Sequence, residues 1–187
     1  MTASFRPPKI LCLSGFMGCG KTTLGRRVAR QLGWRFVDLD TRIEEHTGLA
    51  ISAIFKRLGE PAFRDIEHDL LQVALSEAIA LPQSTILALG GGTYAQPRNI
   101  ALLRSSSAVV VFLETPIDEL LTRCVTKSHR PLFRDESSFR KLYAERLPFY
   151  QQADARVQNT SDLQQVVATI CSLCVSGTAS AHKGVNA

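Results

Sequence analysis

The chain has 187 residues, 45% of them apolar and 21% charged, with a net charge of +5. That length suits one domain with a substantial core. The composition excludes a disordered, collagen-like or membrane-spanning chain. A pI near 9.1 would by itself suggest a nucleic acid or another anionic partner, so the distribution of charge matters more than its sum. Residues 1–36 carry seven basic and no acidic side chains, 37–122 six and twelve, 123–146 seven and three, and 147–187 two of each. Two basic regions flank an acidic middle.

Residues 1–8 read as an N-terminal extension, and residues 9–174 as the single domain. Lys9–Ser14 is a buried strand, followed by a Gly-rich turn and a helix over Lys21–Leu32. Trp34–Asp38 is a second strand, and short helices follow over Thr41–Leu58. Glu60–Ala80 is a long amphipathic helix whose Phe63, Ile66, Leu70, Leu71, Val73 and Leu75 mark the apolar face. Thr85–Leu89 is a third strand, Pro97–Arg104 a helix opened by proline, and Ala108–Leu113 a β-branched fourth strand. Pro116–Val125 is helical, Thr126–Glu136 a polar basic loop, and Ser137–Gln152 helical despite Pro148. Arg156–Gln158 is a weak fifth strand, and Ser161–Leu173 a closing helix with Ser161 as N-cap. The tail from Val175 to Ala187 is expected to be disordered. Nearly continuous apolar strands alternating with helices predict an α/β fold: a parallel sheet with helices on both faces, three layers in all.

The five cysteines, Cys12, Cys19, Cys124, Cys171 and Cys174, are odd in number and scattered, which fits a reducing cytoplasm better than a disulfide scaffold. Cys171 and Cys174 form a C-x-x-C without a second pair, and read as packed or surface thiols. The apolar run Ile10–Leu13 is too short for a signal peptide or a membrane span.

Gly15-Phe-Met-Gly-Cys-Gly20-Lys21-Thr22 matches G-x-x-x-x-G-K-[ST] between a buried strand and a helix. Its backbone N–H groups and the helix N-terminus suit phosphate. Lys21 would reach the β- and γ-phosphates of a nucleoside triphosphate, and Thr22 would hold Mg²⁺. The third strand ends in Gly90-Gly91-Gly92 without an acid, whereas the second ends in Asp38-Leu39-Asp40. One of these carboxylates serves the metal and the other a substrate, or Asp40 is a helix N-cap before Thr41.

Together these pieces resemble shikimate kinase, a P-loop enzyme of the nucleoside-monophosphate-kinase type. The resemblance rests on the GFMGCGKTT loop, the DLD pair, Phe63-Arg64-Asp65 with Glu67, the glycines at 90–92, His129-Arg130-Pro131-Leu132 and Glu145-Arg146-Leu147-Pro148-Phe149-Tyr150, over roughly residues 9–170. It implies a five-stranded parallel sheet, a substrate subdomain over about 40–70 and a mobile lid over about 120–136. It implies transfer of the ATP γ-phosphoryl group to the 3-hydroxyl of shikimate, on the route to chorismate and aromatic amino acids. By position, Asp40 would orient the attacking hydroxyl, Arg64 and Arg146 would hold the carboxylate, and Gly90–Gly92 would meet substrate through backbone. Phe55 and Phe63 would line the pocket, Arg130 would come down on the phosphates, and Asp38 would support the Mg²⁺ shell. ATP would be held by Gly15, Gly18, Cys19, Gly20, Lys21, Thr22, Thr23 and Arg130, with Arg123 stacking on adenine.

The residue chemistry agrees with these roles. A small polyol carboxylate needs a cationic clamp and hydroxyl acceptors, which two arginines and an aspartate supply. A loop bearing Arg130 and other cations suits phosphoryl transfer, which is chiefly positioning and charge stabilisation. Each residue also has a plainer reading: Arg64 pairing with Glu60 or Glu67, Arg146 solvated, the glycines a simple turn, Phe55 and Phe63 core. Arg134, Arg140 and Lys141 read as a solvated face, and His129 as a solvent-facing lid residue. Cys19 beside the cradle is a candidate for an acidic thiol whose alkylation blocks ATP. Gluconate or a nucleoside monophosphate are the competing acceptors, and an idle nucleic-acid-binding P-loop module the competing class. The chain lacks RNP-like aromatic runs or a recognition helix. A cytoplasmic monomer with no nucleic-acid or membrane partner is therefore expected.

Overall fold

Ile10–Ser14 forms a strand (β1) in which all five residues are buried. Such a strand has to lie at the centre of a sheet covered on both faces. Its neighbours are Thr85–Ala88 (β3), with Leu13 opposite Ala88, and Val109–Glu114 (β4), with Leu13 opposite Val111. Arg35–Asp38 (β2) pairs with β3, and Ala155–Gln158 (β5) with β4, so the parallel sheet runs β2-β3-β1-β4-β5. The edge strand β5 alternates buried Ala155 and Val157 with exposed Arg156 and Gln158. This is why it reads weakly in sequence. The computed structural model describes residues 7–125 and 135–176.

Two groups of helices cover the sheet. Lys21–Leu32 (α1) packs on β1, β2 and β3 and against Leu163–Ser176 (α7), which also meets β5. Ile51–Ala80 (α3) packs on β1, and Pro97–Ser105 (α4) on β4 and on α3. Between β2 and α3 lies Leu39–Thr47 (α2). Ile117–Val125 (α5) and Glu136–Tyr150 (α6) follow β4. The helix α3 is two helices joined at Gly59, whose φ of 81° and ψ of 170° are not helical, and Pro61 opens the second half. The predicted break between Leu58 and Glu60 falls there. Arg35 and Arg42 both bond Glu77, Arg42 Nη1 to Oε2 at 2.8 Å and Arg35 Nη2 to Oε2 at 3.2 Å, which ties β2 and α2 to the second half of α3. Those hydrogen bonds, that from Arg42 foremost, hold the Glu77 carboxyl at about 2.

Several expected boundaries shift for identifiable reasons. Val73 is exposed rather than part of the buried stripe, because the face that packs inward carries Leu70, Leu71, Ala74, Leu75 and Ala78. The cap of α7 is Asp162, not Ser161: its Oδ1 accepts from the N–H groups of Gln164 and Gln165 at 3.0 and 3.1 Å. Residues 175–176 of the expected tail continue α7. Residues 120–125 of the expected lid belong to α5, and Asp135 caps α6 by accepting from Ser138 N at 2.8 Å. His129, Arg130, Pro131, Leu132, Phe133 and Arg134 of that lid lie outside the described residues, as do 1–6 and 177–187.

Candidate active site

β1 and β3 run side by side, so the loops leaving their carboxyl ends stand next to each other. From β1 comes the glycine loop. Gly20, at φ 86° and ψ 21°, turns the chain into α1 in a left-handed conformation that suits glycine. The α1 N-terminus has no side-chain cap and no acidic residue in its first turn. Its N–H groups are thereby left for an anionic ligand, favoured by the helix dipole. Lys21 Nζ donates to Gly15 O at 2.8 Å and Phe16 O at 3.2 Å, with Cys19 Sγ 3.7 Å away, so the ammonium bridges the loop.

Thr22 Oγ1 donates to Asp38 Oδ2 at 2.6 Å, while Asp38 Oδ1 accepts from Thr41 N at 3.2 Å and caps α2. The capping carboxylate is therefore Asp38 and not Asp40. β2 passes into α2 without an intervening loop, which puts Asp40 inside the first helical turn and leaves its carboxylate at the glycine turn after β3.

Gly18, Cys19, Gly20, Thr23 and Arg123 border one hollow of about 460 Å³ on the α1–α7 side of the loop. Arg123 pairs with Glu119 at 2.9 Å across one helical turn. The Cys19 thiol is fully buried. The expectation of a thiol open to alkylation is not met, because Cys19 is buried.

A second cavity of about 400 Å³ opens between the glycine turn after β3, α2 and both halves of α3 on either side of the Gly59 break. Asp40, Phe55, Phe63, Arg64, Gly91, Gly92 and Arg146 all line it. Phe55 and Phe63 face each other with centroids 4.5 Å apart, and the Arg64 guanidinium carbon lies 5.1 Å from the Phe63 ring centre. Arg64 is 8% exposed. It donates to Glu67 Oε2 at 2.9 Å and to Glu60 Oε1 at 2.8 Å. Burial works to lower its pKa, but the two carboxylates outweigh that and hold the guanidinium above its ordinary value. The pairing foreseen as the plain reading of Arg64 thus coexists with a place in the pocket.

Arg146 is 7% exposed; its Nη1 donates to Gly91 O at 3.1 Å, and its guanidinium carbon sits 5.8 Å from the centre of the Phe16 ring. The three glycines make room for this cluster. A Cβ at Gly90 would stand 2.7 Å from Asp40 Oδ1, and one at Gly92 2.6 Å from Arg64 Nη2. A Cβ at Gly91 would stand 3.3 Å from Met17 N of the glycine loop. The two cavities therefore meet at the loop.

Of the site residues named from sequence, Gly18, Cys19, Gly20, Thr23 and Arg123 border the first hollow and Asp40, Phe55, Phe63, Arg64, Gly91, Gly92 and Arg146 the second; Lys21, Thr22 and Asp38 stand at the glycine loop between β1 and α1, and Arg130 lies outside the described residues. Others join them. Glu67, 1% exposed, accepts from Arg64 and, through Oε1, from Thr93 Oγ1 at 2.7 Å. Its position three residues after Arg64 on a helix is the sequence signal for that pairing. Tyr150 hydrogen-bonds Gly91 O alongside Arg146. It stands one helical turn beyond Arg146, and burial pushes its phenol up. Glu44 and Met17 line the acceptor cavity without any local signal.

Chemically, one hollow suits a nucleotide whose phosphates meet the glycine loop. The other suits a small anionic polyol, with two buried guanidinium groups for its carboxylate and Asp40 for its hydroxyls. A family model described as shikimate kinase matches residues 17–175. A shikimate kinase of Chlorobium chlorochromatii is 35% identical over 176 residues, covering 88% of each chain. The solved structure of a shikimate kinase from Acinetobacter baumannii in complex with shikimate superposes with a TM-score of 0.80 at 34% identity, covering 91% of this chain and 94% of that one. A gluconokinase from Sinorhizobium meliloti, at 17% identity and a TM-score of 0.57 over 95% of this chain and 100% of that one, shares the fold alone.

Proposed function

This chain belongs to the shikimate kinase family, and from that premise we propose how its residues carry out the ATP-dependent phosphorylation of shikimate, with the 3-hydroxyl as acceptor. The observation that carries the reading is the acceptor cavity itself, where buried Arg64 and Arg146 converge with Asp40 on a glycine turn that touches the phosphate loop.

In this reading residues 9–174 act as one catalytic domain. Residues 40–70 form the acceptor side, and the segment about 120–136, with Arg130, forms the lid. Arg64 and Arg146 grip the carboxylate by charge-assisted hydrogen bonds. Asp40 accepts a hydrogen bond from the attacking hydroxyl and orients its oxygen toward the γ-phosphorus. That oxygen bonds to phosphorus as the bond to the β–γ bridging oxygen breaks. ADP leaves with the electron pair, and the hydroxyl proton passes to Asp40 or to the product phosphate. Loop N–H groups and Lys21 stabilise the charge on the transferring group, the dominant requirement of this chemistry.

Thr22 Oγ1 and the Asp38 carboxylate, 2.6 Å apart beside the loop, are hard oxygen donors of the kind Mg²⁺ takes together with phosphate oxygens and water. Thr22 would hold the ion directly and Asp38 through its waters; when bound, the ion neutralises charge on the β- and γ-phosphates. Among the described residues no helix is long and apolar enough to cross a membrane, and all five cysteines are free and buried. Free thiols support the reading of a cytoplasmic enzyme, and a monomer suffices because both cavities are built within one chain.

The test is ADP release from Mg-ATP offered with shikimate, gluconate and AMP in separate reactions. Turnover stimulated by shikimate alone is expected. Folded protein without shikimate-stimulated turnover would overturn the reading. In the same assay Arg146→Ala is expected to raise the KM for shikimate by a factor of 30 or more, following a loss of roughly 2 to 5 kcal/mol for one partner of a desolvated charge pair. The KM for ATP should move little. Unaltered shikimate KM in this variant would remove Arg146 from the clamp.

A further inference from the structure

Asn159 follows β5 and is 2% exposed. Its side-chain nitrogen donates to the Cys19 carbonyl at 2.6 Å and to Thr115 Oγ1 at 3.1 Å, and its backbone N–H donates to Glu114 O at 2.8 Å. One side chain thus joins the loop after β5, the loop after β4 and the phosphate loop. A carbonyl only accepts, so the bond to Cys19 fixes which end of the amide faces the phosphate loop. The other end, Oδ1, is buried with no hydrogen-bond partner among the described residues. An unpaired buried acceptor is costly and uncommon, so the amide is held in this orientation for its nitrogen.

The C=O and N–H of a trans peptide point in opposite directions. Holding the Cys19 carbonyl against Asn159 therefore turns the Gly20 N–H away, to the side on which the loop cradles an anion. Without that anchor the Cys19–Gly20 peptide is free to rotate, because Gly20 carries no Cβ and accepts either sign of φ. A rotated peptide would present a carbonyl oxygen to phosphate.

We propose that Asn159 is a positioning residue for the nucleotide, acting through the Cys19 carbonyl on the orientation of the phosphate loop. The proposal rests on the reading of that loop as the ATP site. Calorimetric titration of ADP and, separately, of shikimate tests it on the wild type, Asn159→Ala and Asn159→Asp. Asn159→Ala is expected to weaken ADP about tenfold, as for loss of a buried hydrogen bond. Shikimate affinity should hold within about twofold of the wild type, because neither Asn159 nor its partners Cys19 and Thr115 line the acceptor cavity. The aspartate variant keeps the size of the side chain but has no N–H to donate, so it should weaken ADP at least as much, whereas a packing role predicts that it binds ADP normally. In steady state both variants should raise the KM for ATP and leave that for shikimate in place.

ADP affinity unchanged in a folded variant overturns the proposal, whatever its melting temperature. In the wild type the Asn159 side-chain amide protons should exchange slowly with solvent, and fast exchange likewise overturns it. Failure of the wild type to bind ADP would overturn the ATP-site reading as well, while ADP binding that both variants retain overturns only the role of Asn159.

Discussion

Lys21→Ala is expected to lower kcat by about 10³-fold or more, the scale on which a pre-organised donor to a charged transition state acts. The Lys21 ammonium bridges Gly15 O and Phe16 O across the loop at 2.8 and 3.2 Å. A triphosphate seated on the loop offers oxygens of full negative charge in place of those carbonyls, so the exchange is favourable and becomes more so as charge builds on the transferring phosphoryl group. The α1 N–H groups remain in the variant, so ADP should still bind, more weakly. Lys21 is partly exposed, and its partners are loop carbonyls that water can serve. The melting temperature should therefore hardly change. Single-turnover measurement alongside thermal unfolding checks both statements, and a variant that keeps more than about a tenth of wild-type turnover contradicts the role.

Asp40→Asn should lower kcat by about 10³-fold, within the range attributed to a positioned acceptor of the reacting proton. Size is conserved, and the side chain still fits against Gly90, where a Cβ would be 2.7 Å from Asp40 Oδ1. The change is one of charge and of donor against acceptor: an amide nitrogen turned to the substrate hydroxyl repels its proton, and a neutral oxygen accepts it poorly. Stability should fall by no more than about 1 kcal/mol, the worth of a negative charge in the first turn of a helix, because the cap of α2 is Asp38. The discriminating measurement is kcat against the KM for shikimate. A large rise in KM with normal kcat would make Asp40 a binding residue only.

The alternation of buried strands and amphipathic helices was legible because β1, β3 and β4 are central and carry unbroken apolar runs. The glycine loop was legible because its chemistry is local. That Asp38 rather than Asp40 caps α2 was not. It depends on β2 passing straight into α2, and turn composition says nothing about a connection of zero length. Glu67 and Tyr150 lie one helical turn from Arg64 and Arg146, so periodicity contains their pairings once those arginines are placed. Asn159 meets Cys19 across 140 positions of chain, and only the pairing of β4 with β5 brings it there. Val73 follows the helical period closely enough to read as core, yet the boundary of the apolar face is set by what α3 packs against.

The adjacency of β1 and β3, with Leu13 opposite Ala88, has an evolutionary corollary. Phosphate loop and glycine turn are rooted in neighbouring strands, whereas much of the acceptor wall comes from the contiguous stretch from Asp40 in α2 to Glu67 in the second half of α3. Donor chemistry and acceptor recognition are thus largely encoded in separate lengths of chain. Exchange of that stretch offers a route to a new acceptor on an unchanged phosphoryl-donating frame.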